Sequence, residues 1–118
     1  DAMWSGLYRR FHPDFDFSGL EAELANGWHQ KLHIFQAPFY YVEYGLAQLG
    51  AAQIWRNAKQ DQAGAVAAYR RALALGGSAP LPALFAAAGA KFAFDPATLG
   101  ELVGLMAREM DDLRAAGG

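Results

Sequence analysis

The stretch PFYYVEYGLAQLGAAQIWRNAK, residues 38–59, predicts one long α-helix. Pro38 suits the first turn of a helix, where a backbone N–H has no intrahelical partner. At about 100° per residue, the apolar side chains of this stretch fall on almost every side of the helix. Such a helix must be enclosed by neighbours, and its polar residues Glu43, Gln48 and Gln53 need partners once buried. We therefore expect a larger molecule to supply some of the surrounding walls.

Shorter helices are predicted on both sides of this stretch, because no segment shows the period-two alternation of a β-strand. The predicted helices are 2–10, 18–26, 38–59, 61–75, 81–88 and 96–115, and residues 28–37 form an ordered loop. Side-chain caps mark three of the helix starts. These caps are Ser18 with Glu21, Asp61, and Asp95 before Pro96. The fold class predicted from the sequence is all-α.

The composition limits the classes of partner. The 118 residues suffice for one domain or part of one, and the net charge of −2 provides no basic stripe for nucleic acid. No apolar run approaches the ~20 residues that span a bilayer, so a membrane partner is not expected either. The absence of cysteine excludes disulfides and fits the cytoplasm, which is the predicted location. A first residue of Asp1, with no initiator methionine or targeting segment, is expected equally for a piece of a longer protein and for a chain from which a tag has been removed.

Two histidines in the segment HQKLH, residues 29–33, have the spacing at which helical imidazoles can share a zinc ion. Gln30 stands where a metalloprotease motif requires glutamate, and the surrounding residues do not predict a stable helix. We therefore do not interpret His29 and His33 as a zinc site, and we expect this segment to bind no metal.

The same region carries a resemblance to a known family. The stretch HIFQAPFYYVEYGLAQL, residues 33–49, resembles the C-terminal signature of oligoendopeptidase F-type enzymes. These enzymes belong to the M3 (thimet oligopeptidase-like) family of zinc metallopeptidases. Trp28, the segment QIWR at 53–56 and the turn LGGS at 75–78 agree with the family as well. The resemblance extends in order over nearly the whole chain.

Membership of this family implies a zinc-dependent hydrolase of short peptides. Its zinc ligands and general base come from an HExxH helix and a following glutamate, which precede the region resembled here. The 118 residues contain no HExxH motif. The resemblance therefore implies that residues 1–118 are the C-terminal helical part of the catalytic domain. Zinc then belongs to the complete enzyme, the N-terminal remainder is the partner of this segment, and the segment alone is inactive.

The resemblance also implies roles for four side chains. His33 matches a histidine that hydrogen-bonds the substrate backbone. Tyr41 and Tyr44 match a tyrosine pair, one of which donates to the oxyanion as the tetrahedral intermediate forms. Because Tyr40 and Tyr41 form a doublet, either can occupy the first position of the pair, and Tyr40 stays a candidate for substrate binding.

Two other functions are compatible with the sequence. Leu49-Gly50, Ala65, Tyr69 and Ala72 have the small-and-aromatic pattern of a tetratricopeptide helical hairpin, which binds peptides without cleaving them. No second copy appears at the ~34-residue period, whereas such repeats normally need three or more units. The second alternative is an inactive paralogue of the peptidase that retains only this helical region.

Overall fold

The computed structural model describes residues 1–117, which form seven α-helices and one short 3₁₀ helix. In chain order these are α1 (Ala2–Phe11), α2 (Glu21–Asn26), the 3₁₀ helix (Gly27–Gln30), α3 (Leu32–Gln36), α4 (Val42–Gln60), α5 (Gln62–Leu75), α6 (Leu81–Ala87) and α7 (Pro96–Ala116). Helices account for 74% of the residues and the described part has no strand, so the predicted all-α class is confirmed. None of the described helices has the length and apolar character needed to cross a bilayer.

The chain divides into two compact units, and the division falls between Tyr41 and Val42. In the first unit, α1 packs against α2, and Leu24 is buried. The indole N–H of Trp28 donates to Asp1 Oδ1 at 2.9 Å, which ties the 3₁₀ helix to the start of α1. The first unit is therefore held by a small buried core, by contacts between aromatic rings and by a few polar contacts.

Helix α2 begins at Glu21, so the predicted start near residue 18 is wrong. The Ser18 hydroxyl donates to Asp16 Oδ1 at 2.6 Å and is thus engaged in a turn instead of capping a helix. The next residue, Gly19, has φ +79°, which no helical residue adopts. The Ser18 hydroxyl and, after it, the Ser18 backbone N–H hold the pKa of Asp16 below its ordinary value. A local turn has therefore displaced the predicted capping box.

Residues 28–37 are not the predicted loop. The 3₁₀ helix and α3 occupy most of this range, separated by Lys31 at φ −85° and ψ 84°. Each element is a single turn or little more, too short to display a helical stripe in the sequence. The Trp28 ring stacks on Phe35, with 5.7 Å between centroids and 25° between planes, and joins the two elements. Tertiary ring packing has thus produced helical turns that the local pattern does not indicate.

The long helix α4 begins at Val42, four residues after the predicted start at 38, and ends at Gln60. Phe39 has φ +67°, and a helix cannot pass through a residue in that conformation. The Tyr40 N–H donates to the Ala37 carbonyl at 3.1 Å and closes a turn in which Pro38 takes the second position. Proline therefore serves the turn here rather than the first turn of the helix.

Carboxylate caps start the other long helices as predicted. Asp61 Oδ1 accepts from the Gly64 N–H at 3.0 Å at the start of α5. Asp95 Oδ1 accepts from the Thr98 N–H at 2.9 Å, and Oδ2 accepts from the Thr98 hydroxyl at 2.7 Å. These two bonds, the backbone one first, hold the pKa of Asp95 below its ordinary value. Both caps satisfy backbone N–H groups that a helix start leaves without partners.

Gln53 is the buried polar centre of the second unit. Only 1% of it is exposed, and its amide pairs with the backbone of Lys91 in both directions. The amide nitrogen donates to the Lys91 carbonyl at 2.9 Å, and the amide oxygen accepts from the Lys91 N–H at 2.8 Å. These bonds fasten the irregular connector between α6 and α7 to the side of α4. The predicted need of Gln53 for partners is confirmed, whereas Glu43 and Gln48 are exposed.

Two further contacts hold the same connector. Helix α6 ends in a Schellman motif, in which Gly89 at φ +76° donates to the Ala86 carbonyl and Ala90 donates to the Phe85 carbonyl. The Asn57 amide, one turn after Gln53, donates to the Gly89 carbonyl at 2.8 Å. Successive turns of α4 thus bind the end of α6 and the connector that follows it.

We expect Gln53→Leu to lower the free energy of unfolding by about 1–3 kcal/mol, because the Lys91 N–H and carbonyl lose their partners in a buried position. Urea unfolding followed by circular dichroism measures this change. The matched control is Gln48→Leu, an exposed position on the same helix, where the change should stay within about 0.5 kcal/mol. Equal effects at the two positions would show that the pairing with Lys91 does not stabilise the fold.

Two glycines of α4 should respond oppositely to alanine. A Cβ at Gly50 would lie 3.0 Å from Phe85 Cε1, whereas a Cβ at Gly45 would have no neighbour within 4 Å. Gly50→Ala should destabilise by about 1 kcal/mol, since overpacking costs about 1–3 kcal/mol and improved helix propensity offsets up to ~1 kcal/mol. Gly45→Ala should stabilise by about 0.5–1 kcal/mol. Thermal unfolding compares the two, and a stabilised Gly50→Ala variant would contradict the close approach of α4 and α6.

Candidate active site

Three predicted site residues of the first unit lie together as a set of parallel rings. The His33 imidazole stacks on Tyr40, with 5.6 Å between centroids and 4° between planes. It also stacks on Tyr41, with 5.1 Å between centroids and 20° between planes. We call this group the His33 stack. Ring pairs of this geometry contribute about 0.5–1.5 kcal/mol each and restrict the rotation of the side chains involved.

The local backbone explains why these rings meet. His33 is the second residue of α3, and α3 ends one residue before the turn formed by Ala37, Pro38, Phe39 and Tyr40. Because that turn reverses the chain, the two tyrosines return to the histidine that precedes them by seven and eight residues. The turn therefore brings both tyrosine rings to His33.

A small cavity adjoins the stack. It has a volume of about 170 Å³ and is lined by Leu32, His33, Gln36, Ala37 and Tyr40. His33 is partly buried, whereas Tyr40 and Tyr41 are 46% and 52% exposed, so their rings are accessible to a ligand. Phenolic hydroxyls and an imidazole can each donate a hydrogen bond to a carbonyl oxygen. The arrangement can therefore bind and polarise a peptide carbonyl.

Tyr44 is placed differently from the other candidates. It is the third residue of α4 in the second unit and is 53% exposed. Tyr41 and Tyr44 both fall in the predicted helix 38–59, but Tyr41 precedes α4, so the two tyrosines do not lie on one helix. Tyr44 and Gln48 remain four residues apart on α4, one turn from each other. The tyrosine pair thus belongs to two separate structural units.

The segment HQKLH is not a helix that presents two imidazoles on one face. His29 lies in the 3₁₀ helix and His33 in α3, and the non-helical Lys31 separates them. His29 packs on Trp28 with 4.0 Å between ring centroids, whereas His33 packs on the tyrosines. In residues 1–117 no group of three or more histidine, cysteine or acidic side chains is arranged to hold a metal ion. These residues do not fit a zinc ion.

Two residues of the site were not identified from the sequence. Gln36 and Leu32 line the cavity, and the sequence predicts only an ordered loop for their segment. The sequence also places Phe39 in the predicted helix 38–59, although it is the third residue of a turn. The dipeptide Pro38-Phe39 carries part of the signal, because proline is common at the second position of turns with a positive φ at the third. Glycine or asparagine usually fills that third position, and because phenylalanine occupies it here, the sequence does not reveal the turn.

Comparison with known proteins gives one match. The family model described as peptidase family M3 matches residues 2–103, which is most of the chain. No curated protein and no solved structure matches the chain.

The His33 stack predicts distinct effects of the two histidines on neighbouring rings. His33→Ala should remove the ring-current shifts of the Tyr40 and Tyr41 protons, because the imidazole that causes them is gone. His29→Ala is the matched control and should change the Trp28 resonances while leaving both tyrosines unchanged. Proton NMR spectra of the two variants test this assignment. Unchanged tyrosine resonances in His33→Ala would contradict the stack.

Proposed function

The chain belongs to peptidase family M3, and we propose that it supplies substrate-binding residues to a zinc-dependent oligopeptidase of the oligoendopeptidase F type. The observation that carries this proposal is the His33 stack, in which one imidazole orders two accessible phenols beside a small cavity. Short peptides are the proposed substrates. His33 and Tyr40 hydrogen-bond the substrate backbone, and Tyr41 and Tyr44 stabilise the oxyanion.

Hydrolysis of a peptide bond explains why phenols are useful here. When a nucleophile adds to the scissile carbonyl, negative charge develops on the former carbonyl oxygen. A fixed phenolic O–H stabilises that charge more than it stabilises the neutral carbonyl, so the donor lowers the barrier. Stacking on His33 limits the rotation of Tyr41, so little reorganisation is required as the charge forms.

Zinc and the general base are proposed to come from the remainder of the peptidase. The 118 residues contain no HExxH motif, and the described residues present no set of metal ligands. Bound zinc supplies an activated water to the reaction. The chain contributes Tyr41 and Tyr44, whose hydroxyl groups donate hydrogen bonds to the oxyanion. By itself, the chain is proposed to be inactive.

The uncovered apolar surface supports such a remainder as the partner of this chain. The accessible surface is 8778 Å², whereas two separately compact units of these lengths would expose about 7,500 Å² in total. An apolar groove of about 640 Å³ runs between α4 and α7, and its walls include Trp55, Val103 and Met106. These side chains are 40–58% exposed. Apolar surface of this extent is typical of an interface with another part of a protein.

We expect Tyr41→Phe and Tyr44→Phe to lower kcat of the complete peptidase, with the oxyanion donor losing about 10²–10³-fold. Zinc content and melting temperature should remain nearly unchanged, because phenylalanine retains the ring. Tyr69→Phe in α5 is the matched control, since Tyr69 is similarly exposed (45%) and is not part of the site. Steady-state kinetics with a fluorogenic peptide provide the measurement. Normal turnover in both Tyr41→Phe and Tyr44→Phe would refute the oxyanion assignment.

The same assay separates this function from the two alternatives. Neither a helical peptide-binding module nor an inactive paralogue would cleave the peptide. The α4–α5 pair is present as a packed helical hairpin with buried Gly50 and Ala65, which is what a binding module requires. The sequence contains no second copy of this hairpin at the ~34-residue period, and repeat modules normally need three or more units. We therefore favour the peptidase.

A further inference from the structure

Phe39 combines two unfavourable features at one position. Its φ of +67° is the only positive φ of a non-glycine residue in residues 1–117. Its side chain is 96% exposed, which is the highest value among the large apolar residues described. In a turn with proline at the second position, the third position favours glycine, which adopts a positive φ without steric cost. Glycine would avoid both the strained backbone and the exposed phenyl ring.

Within residues 1–117, the exposed ring of Phe39 gains too little packing to compensate for these features. A residue in a sparsely populated conformation persists only where its surroundings require it, and such residues cluster at ligand-binding and catalytic sites. Here the Tyr40 N–H to Ala37 carbonyl bond closes the turn, and the stacking of Tyr40 on His33 holds its second end. The ring of Phe39 is therefore held in solvent by a closed turn that packs on the His33 stack.

We propose that Phe39 is a specificity-determining residue, whose ring contacts an apolar side chain of the bound peptide. Ala37 and Tyr40, which bracket Phe39 in the turn, both line the 170 Å³ cavity beside the His33 stack. A peptide whose carbonyl meets the stack must therefore pass close to this turn. A phenyl ring makes no directional polar contact, so it selects for apolar substrate side chains. This inference rests on the proposed function, because it assigns a substrate preference to the same site.

The test uses the complete peptidase and pairs of fluorogenic peptides that differ only by Phe or Ser at one position near the scissile bond. At the position that contacts Phe39, the wild type should prefer Phe in kcat/KM. Phe39→Ala should reduce this preference about tenfold, and Phe39→Leu should retain most of it. Phe11→Ala is the matched control, because Phe11 is another exposed phenylalanine (73%) and should leave the preference unchanged.

A stability measurement separates substrate contact from a structural role. Phe39→Gly should lose the preference to the same degree as Phe39→Ala but should melt at a higher temperature, since glycine relieves the backbone strain. If Phe39→Ala lowers the melting temperature and leaves every preference unchanged, the ring packs against another part of the protein and the inference is overturned.

The outcomes also distinguish this inference from the proposed function. If Tyr41→Phe and Tyr44→Phe keep normal turnover while Phe39→Ala still shifts the preference, the oxyanion roles fail and the Phe39 assignment stands. If the complete protein cleaves no peptide, the Phe-containing peptide is titrated into the ¹⁵N-labelled 118-residue chain. Shifts at residues 39–41 that disappear in Phe39→Ala support the contact, and identical titrations of the two chains overturn it.

Discussion

The second unit depends on the pairing of one buried amide with one stretch of main chain. Gln53 gives Lys91 the donor and acceptor that a neighbouring β-strand would otherwise provide. The apolar core of this unit is small, and its buried hydrophobic side chains among those described are Ala65, Ala88, Ala90 and Leu102. Since so little apolar surface is buried, hydrogen bonds have a large share in setting where the connector runs. Arg56, three residues after Gln53 on α4, forms a salt bridge to Glu101 of α7, with 2.6 Å between Nη1 and Oε1.

The candidate site depends on a turn in the main chain rather than on a buried side chain. A proline-containing turn returns Tyr40 and Tyr41 to His33. Tyr44 is fixed instead by the first turn of α4. The proposed oxyanion donors Tyr41 and Tyr44 therefore lie in two separately compact units.

The sequence predicts structure best where the signal is local. The Asp61 and Asp95 caps start α5 and α7 where predicted, because a carboxylate acts on backbone N–H groups three residues away. Prediction from the sequence fails at Ser18, where a turn forms instead of a helix cap. It also fails at Phe39, because a residue type that rarely has a positive φ adopts one there. The pairing of Gln53 with a residue 38 positions later leaves no local signal. For the site, the resemblance of residues 33–49 to a peptidase family identified His33, Tyr40 and Tyr41 as candidates, whereas the turn that assembles them came only from the structure.

The contact between Gln53 and Lys91 requires a specific side chain at position 53 but only a main chain at position 91. Position 53 must present an amide of the correct length, so no other side chain can replace glutamine there without loss. Position 91 contributes only its main chain, and its own side chain is exposed. Any amino acid with a backbone N–H can therefore occupy position 91, and proline alone is incompatible. In the contact between α4 and the connector that follows α6, position 91 can therefore vary in sequence, whereas position 53 cannot.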